Sequence, residues 1–386
     1  MRVEEDEPPS PWATEREVAG DHAISAPCAT PVSLGWLQPM GMVGLSVFNY
    51  VMRILTLGAY HFWGKTEVRQ RIWSAVRIDG EPLAYLGTGR ELMLGFLVIF
   101  LVVLLPAAIL SFAAVLAFGP GSRLLAVFQL VVYAVFFLLY GVATHRAQRY
   151  RLSRTAWRGI RGSVDGSAWR YALTHFWTAL LIPPTLGWII PWRSTRLNRQ
   201  LVGDTRFGNR AFRCTASSRP LYLRFALLWA GAVAILTIAS STMFGIVSTD
   251  LAAARPGAPR VGMLSPSAIA LLLGVAALSY LSYAVISAWY RAGQLNHFAA
   301  HTRLDGLSFR ASVSAGGLIW LTVGNLLLVV LSLGLLSPVA QVRSARYFVE
   351  NLAIDGATEL AALHPSGDLA ITRGEGLAQA FDVDAF

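Results

Sequence analysis

The chain has 386 residues, of which 55% are hydrophobic and only 14% are charged, and its formal net charge is +10. So low a charged fraction excludes an ordinary soluble domain, and apolar stretches of about 20 residues are typical of membrane-spanning helices. The basic residues flank these stretches, as the positive-inside rule requires, so the net charge does not indicate nucleic-acid binding. We therefore expect a mainly α-helical, polytopic protein whose first partner is the lipid bilayer.

The N-terminal part of the chain, residues 1–35, is acidic and proline-rich and has no apolar core. We expect it to be disordered and cytoplasmic rather than a cleaved signal peptide. The two cysteines, Cys28 and Cys214, are far apart in the chain, so the sequence predicts neither a disulfide framework nor a cysteine-ligated metal.

Seven apolar runs follow along the chain. Four are long and carry no internal charge, and we expect each to cross the membrane; they are residues 92–118, 124–144, 225–248 and 264–290. Three weaker runs carry polar residues, an arginine or prolines; they are residues 44–63, 172–192 and 316–340. Because Pro183 and Pro184 are adjacent in the second weak run, we expect these segments to be kinked.

A tripeptide marks each weak run: Thr-Leu-Gly at 56–58 and 185–187, and Ser-Leu-Gly at 332–334. A basic connector and a short piece of alternating apolar and polar residues follow each tripeptide. This order predicts about two and a half tandem repeats. We place repeat 1 at 36–168, repeat 2 at 169–313, a half repeat at 314–360 and a polar tail at 361–386.

The alternating pieces contain dipeptides that favour tight turns, because their residues tolerate a positive φ. We expect short β-hairpins on the cytoplasmic face, packed together for stability. The predicted turn residues are Asp79, Gly80, Gly208, Asn209, Asp305, Gly306, Asp355 and Gly356.

The distribution of basic residues decides the topology. If each weak run enters and leaves the membrane on one side, five connectors with 25 basic residues share that side, against Arg123, Arg255 and Arg260 opposite. The positive-inside rule favours this arrangement. We therefore expect four spanning helices, three re-entrant segments and cytoplasmic termini.

Polar residues recur at matching depths in the weak runs: Asn49, Thr178 and Asn325, and then Thr56, Thr185 and Ser332. They either satisfy backbone groups at the kinks or line a shared polar pocket. Arg53 lies inside an apolar segment, where a charge either marks a functional site or pairs locally.

The stretch from Asn49 to Phe96 resembles the signature of the YjgN-like proteins, a family of bacterial inner-membrane proteins of unknown function. The residues that carry the resemblance include Asn49, the tripeptide at 56–58, Trp63 and Asp79. The resemblance implies a bacterial inner-membrane location and no particular reaction.

No catalytic, nucleotide-binding or metal-binding motif stands out, although His297, His301 and Asp305 are four residues apart. We therefore expect no enzymatic activity and no cofactor, and favour transport or sensing of a small molecule or lipid. A membrane scaffold that binds a protein through its hairpins is the alternative, and an enzyme acting on lipid or glycan is a third. The cytoplasmic arginines also suit anionic lipid headgroups.

Overall fold

The computed structural model describes residues 32–253 and 264–356. The first 31 residues, the polar tail, Arg255 and Arg260 lie outside these ranges. The fold is mainly helical. In chain order the helices are α1 (Met42–Leu55), α2 (His61–Ala75), α3 (Gly89–Ile99), α4 (Leu105–Phe118), α5 (Arg123–Ser153), α6 (Ala168–Leu180), α7 (Ile190–Gly203), α8 (Arg219–Ala252), α9 (Pro266–Ala300), α10 (Ala315–Leu331) and α11 (Ser337–Glu350).

Four long apolar helices of the described chain confirm the predicted spans in length and composition. The first joins α3 and α4 through a π-helical turn at Phe100–Leu104, and the others are α5, α8 and α9. At about 1.5 Å per residue, their 30 to 35 residues exceed a bilayer core of about 30 Å. Several begin at a side-chain cap: the Thr88 hydroxyl, for example, accepts the Glu91 N–H at 3.4 Å. The helices run past the apolar stretches of the sequence and include polar residues at their ends, such as Arg146 to Arg151 in α5.

The three weak runs fold as pairs of short helices joined by tight turns. We refer to them as helical hairpin 1 (α1 and α2), helical hairpin 2 (α6 and α7) and helical hairpin 3 (α10 and α11). The leucine of each tripeptide, Leu57, Leu186 or Leu333, has a left-handed φ of 51°, 47° or 51°. The glycine that follows has a φ of 93°, 86° or 86°, and its N–H donates to the carbonyl five residues earlier at 2.7, 2.9 or 2.8 Å. One turn geometry therefore occurs three times.

Short strands connect the helices. They are β1 (Leu34–Trp36), β2 (Val76–Ile78), β3 (Glu81–Pro82), β4 (Ala84–Tyr85), β5 (Thr155–Trp157), β6 (Ile160–Val164), β7 (Thr205–Phe207), β8 (Arg210–Cys214), β9 (Thr302–Leu304), β10 (Leu307–Ala311) and β11 (Leu352–Asp355). Strands β4 to β11 form one antiparallel sheet in chain order, and β1, β2 and β3 form a second. The strands are thus joined into continuous sheets, which goes beyond the separate hairpins that the sequence suggested.

The predicted turn dipeptides lie between paired strands. Ile78 pairs with Glu81 across Asp79 and Gly80, whose φ angles are 50° and 78°. Phe207 likewise pairs with Arg210 across Gly208 and Asn209, and Leu304 with Leu307 across Asp305 and Gly306. Asp355 ends β11 opposite Ser308, and the chain after Gly356 lies outside the described residues. A further turn at Arg158 and Gly159, which the sequence analysis did not single out, joins β5 to β6.

The strands share an apolar core to which both sheets contribute. Val32, Leu304 and Leu307 are buried there, and Ile78 from β2 and Phe207 from β7 pack against them. Trp157 is buried in an adjoining cluster that includes the same two residues. The two sheets therefore act as one layer beneath the helices.

This strand layer holds both ends of each helical hairpin and one end of each long helix. Helical hairpins 1, 2 and 3 each leave from one strand and return to its partner: β1 and β2, β6 and β7, and β10 and β11. Each long helix also has one end at the layer, next to β4, β5, β8 or β9. The described parts of all five basic connectors consequently lie on the strand side, and Arg123 lies at the opposite end of α5.

Helices that follow one another in the chain pack together, and the last helical hairpin also packs against the first. Helix α11 contacts both α1 and α2, so helical hairpin 3 lies beside helical hairpin 1. Met42, Leu45, Val68 and Ile72 of helical hairpin 1 share a buried cluster with Val342 of α11. This contact between the two ends of the described membrane region creates the candidate site.

Candidate functional site

The hydroxyl groups at the tripeptides satisfy local backbone. Thr56 donates to the Met52 carbonyl at 2.7 Å and accepts the Tyr60 N–H at 2.9 Å. Thr185 donates to the Leu181 carbonyl at 2.6 Å. In the third copy Ser332 donates to the Val329 carbonyl at 3.3 Å and accepts the Leu336 N–H at 3.0 Å. These three residues stabilise the turns, as the first of the two sequence interpretations proposed.

The two asparagines join the two helices of their hairpins. The Asn49 side-chain amide donates to the Gly64 carbonyl at 3.5 Å, and Asn325 donates to the Ala340 carbonyl at 3.2 Å. In both cases the partner lies 15 residues further along the chain. Thr178, at the matching place in helical hairpin 2, instead donates to the Thr174 carbonyl of its own helix at 2.6 Å. The side-chain oxygens of both asparagines are buried and lack a hydrogen-bond partner within the described residues.

A cavity of about 350 Å³ lies between helical hairpins 1 and 3. We call it the Arg53 cavity. Helical hairpin 1 contributes one wall, and the turn and first residues of α11 contribute the other. Its polar lining residues are Ser46, Asn49, Tyr50, Arg53, Tyr60, His61, Lys65, Ser337 and Gln341.

The lining of the Arg53 cavity is cationic. Arg53 and Lys65 both face it, and the Arg53 guanidinium contacts the imidazole Nδ1 of His61. Among the described residues that line it, none carries a carboxylate. Glu67 lies behind the wall, where it accepts a hydrogen bond from the Tyr60 hydroxyl at 3.0 Å. The cavity therefore offers two fixed positive charges and hydrogen-bonding groups, which suits a small anion.

Only part of the predicted polar set lines this cavity. Asn49 and Arg53 are in its wall, whereas Thr56, Asn325 and Ser332 are not among the lining residues. Thr178 and Thr185 belong to helical hairpin 2, which contributes no lining residue to the Arg53 cavity. The wall from α11, including Ser337 and Gln341, was missed by sequence reasoning, because only the contact between the first and third hairpins brings it there.

A second polar cluster joins α5, α6 and α7. The sequence analysis did not predict this cluster either. Asp204, at the end of α7, lies 3.5 Å from Nε2 of His145 and 3.1 Å from the Arg170 guanidinium. His145 is only 1% exposed. Gly166 has a φ of +97°, and a Cβ there would come within 2.6 Å of the Asp204 carboxylate. This arrangement fastens three helices together and leaves no room for a ligand at Gly166.

The histidines that the sequence spaced like metal ligands have other contacts. Nε2 of His297 is 2.7 Å from the Ser217 carbonyl, and Nδ1 of His301 is 2.8 Å from the His297 carbonyl. Asp305 pairs with Arg210 at 3.1 Å across neighbouring hairpins. The described residues contain no group of three or more side chains that could hold a metal ion.

Comparison with known proteins identifies a family. The profile of a family described as "Bacterial protein of unknown function (DUF898)" matches residues 40–380. This is the family of the YjgN-like proteins, so the resemblance seen in the sequence is confirmed. No curated protein and no solved structure matches the chain significantly.

Proposed function

We propose that this chain, which belongs to the bacterial DUF898 family of unknown function, binds a small anionic molecule in the Arg53 cavity for transport or sensing, without chemically altering it. The observation that carries the proposal is the cavity itself. Arg53 and Lys65 face a space of about 350 Å³, which lies within the usual range of about 300–1,000 Å³ for small-molecule pockets.

The position of Arg53 supports a ligand rather than a purely structural role. An arginine within an apolar segment is a functional-site candidate by default. Its contact with His61 orients the guanidinium along the cavity wall. Side chains with hydroxyl or amide groups, among them Ser46, Ser337 and Gln341, also line the cavity, so a ligand with one acidic group and further polar groups would match the lining.

We place the protein in the bacterial inner membrane, with the strand layer and both termini in the cytoplasm and the helical hairpins re-entering the bilayer. The hairpin tips support this placement, because Leu57, Leu186 and Leu333 are 98%, 72% and 83% exposed. Apolar side chains so exposed are stable in lipid. Helix α1 is also about 21 Å long, short of a bilayer core of about 30 Å, whereas the long helices exceed it.

We further propose that the fold repeats about two and a half times. Pairs of short helices alternate with pairs of long helices along the chain, and strands separate each pair from the next. The common turn geometry at residues 56–58, 185–187 and 332–334, and the two matching asparagine bonds, support common descent of the three helical hairpins.

A membrane scaffold that binds a protein through its hairpins ranks second. Such a role needs an accessible apolar surface, and the described strands instead direct Trp157, Phe207 and Leu304 into their own core. An enzyme on lipid or glycan ranks third, because no described feature of the Arg53 cavity supplies a carboxylate for acid–base chemistry.

The test measures anion binding by the purified full-length protein in detergent. We expect inorganic phosphate or succinate to raise the thermal unfolding midpoint above that in chloride of equal ionic strength, because a ligand that binds the folded state stabilises it. Arg53→Gln and Lys65→Gln should each abolish the rise. Arg90→Gln, at an exposed position in the first turn of α3 and outside both sites, is the matched control and should retain it.

Two results would overturn the proposal: no difference between these anions and chloride, or an unchanged rise in both cavity variants. If Arg53→Gln fails to fold, the rise in unfolding midpoint is compared between Lys65→Gln and the wild type alone. Proteoliposomes then separate the two roles, because only a transporter exchanges labelled succinate across the membrane.

A further inference from the structure

We propose that an arginine-lined groove on helical hairpin 2 binds the headgroup of an anionic phospholipid. We call it the arginine groove; it has a volume of about 910 Å³ and lies between α6, α7, β8 and the start of α8. The groove shares no lining residue with the Arg53 cavity, so this proposal can be tested independently of the proposed function.

Charge is the first argument. Arg170, Arg196, Arg199 and Arg213 line the groove, and none of its described lining residues carries a carboxylate. Arg170 pairs with Asp204 behind the groove at 3.1 Å, and the Arg196 guanidinium lies over the Trp192 ring at 5.2 Å. Arg199 and Arg213 are exposed, and neither has a carboxylate partner within the described residues. A phosphate oxygen placed here would meet charge-assisted donors on two sides.

An uncharged hydrogen-bond donor in the groove also suits a phosphate group. Nε2 of Gln200, which lines the groove, has no hydrogen-bond partner in the part of the chain that the structure describes. Ala216, Ser217 and Ser218 close one end, where the 34-residue helix α8 begins. The N-terminus of a helix carries a partial positive charge, so it adds to the attraction for phosphate.

An apolar stripe beside the groove selects a lipid over a soluble anion. Trp169, Leu173, Trp177 and Leu180 of α6 are 52%, 47%, 60% and 55% exposed. Their spacing places them along one side of the helix, next to Arg170 and Thr174 of the groove. Exposed tryptophans are typical of the membrane interface. A headgroup in the groove would therefore leave its acyl chains along an apolar helix face.

The ligand that fits this combination is a phospholipid with a net negative headgroup, such as phosphatidylglycerol. Its phosphate supplies the charge that the arginines match, and its glycerol hydroxyls suit the groove's serine and threonine side chains. A zwitterionic choline headgroup would bring a cation close to four arginines, which is unfavourable.

The experiment is native mass spectrometry of the full-length protein with added phosphatidylglycerol or phosphatidylcholine. We expect tighter retention of phosphatidylglycerol. Arg199→Gln/Arg213→Gln should weaken it about tenfold, since two ion contacts at solvent-exposed arginines are lost. Arg199→Lys/Arg213→Lys should retain part of the binding. Arg90→Gln, at an exposed position outside both sites, should bind phosphatidylglycerol like the wild type.

Equal retention of both lipids, or unchanged phosphatidylglycerol binding by the double glutamine variant, would overturn the assignment. Displacement of the lipid by 10-fold excess inorganic phosphate would also overturn it, because the groove would then recognise a free anion. If the double variant does not fold, the single variant Arg213→Gln, on an exposed strand residue, carries the same comparison.

Discussion

The side-chain amide of Asn325 in α10 donates to the backbone carbonyl of Ala340 in α11 at 3.2 Å. Because these residues belong to opposite helices of helical hairpin 3, the bond holds the hairpin closed. Asn49 and Gly64 repeat the relationship in helical hairpin 1, and Gly64 is small enough to permit it: a Cβ there would lie 3.1 Å from the asparagine side chain.

The Asn325 amide also donates to the Ser344 hydroxyl at 2.9 Å. Replacing Asn325 with leucine should therefore destabilise the protein by about 2 kcal/mol, because two hydrogen bonds of about 1 kcal/mol each are lost. The readout is the free energy of unfolding in mixed detergent micelles. Gln70→Leu, at an exposed position on α2, is the control and should change stability by less than about 0.5 kcal/mol. An Asn325→Leu variant as stable as the control would show that the bond does not hold the hairpin closed.

The tripeptide turns should be sensitive to substitution at glycine. Gly58→Ala, Gly187→Ala and Gly334→Ala each place a Cβ at a φ between 86° and 93°, and we expect a loss of about 1–2 kcal/mol for each. Gly245→Ala is the matched control. Gly245 lies inside α8 with no other atom near its Cβ position, so alanine there should be neutral or stabilising by up to about 1 kcal/mol. A loss of unfolding free energy in all four variants, including the Gly245→Ala control, would contradict this account of the turns.

Gly166 should tolerate alanine less well than Gly159 does. Both residues have a positive φ, but only at Gly166 would the new Cβ lie 2.6 Å from the Asp204 carboxylate. The difference between their unfolding free energies isolates the steric effect, which we expect to exceed about 1 kcal/mol. In an Asp204→Ala background the difference should shrink, because the clashing carboxylate is gone. A difference that persists there would mean that Asp204 is not the obstacle.

Cysteine labelling tests the membrane arrangement. In a background with Cys28→Ser and Cys214→Ser, single cysteines replace Arg161 in β6, Arg206 in β7 and Leu186 at a hairpin tip. Strands β6 and β7 are paired, so Arg161→Cys and Arg206→Cys should react with an impermeant thiol reagent from the same, cytoplasmic side. Leu186→Cys should react from neither side if the tip lies in lipid. Arg123→Cys, at the far end of α5, should react from outside.

Reaction of Arg161→Cys and Arg206→Cys from opposite sides would exclude re-entrant hairpins. Rapid labelling of Leu186→Cys from the cytoplasm would instead place the tips in water. Whole cells and inverted membrane vesicles supply the two directions of access, and the quantity compared is the fraction of each cysteine that reacts.

Much of the helical architecture follows from local sequence. Long uncharged apolar runs form long helices whatever surrounds them, and the tripeptides at 56–58, 185–187 and 332–334 form turns because glycine accepts a positive φ. The turn at Asp79 and Gly80 lies between paired strands for the same local reason. The turn at Arg158 and Gly159 was not singled out, because arginine carries no preference for the left-handed region that its φ of 48° occupies.

Only the tertiary structure decided which of these elements meet. Arg53 and Gln341 are nearly three hundred positions apart in the chain, and they share a cavity because α11 packs against α1 and α2. Asp204 lies next to His145 because α5, α6 and α7 pack together around this pair. The sequence by itself determined the long helices, the turns and the basic side of the protein, since these depend on short-range propensity and charge. The two proposed binding surfaces depend on packing between distant segments, which local composition does not encode.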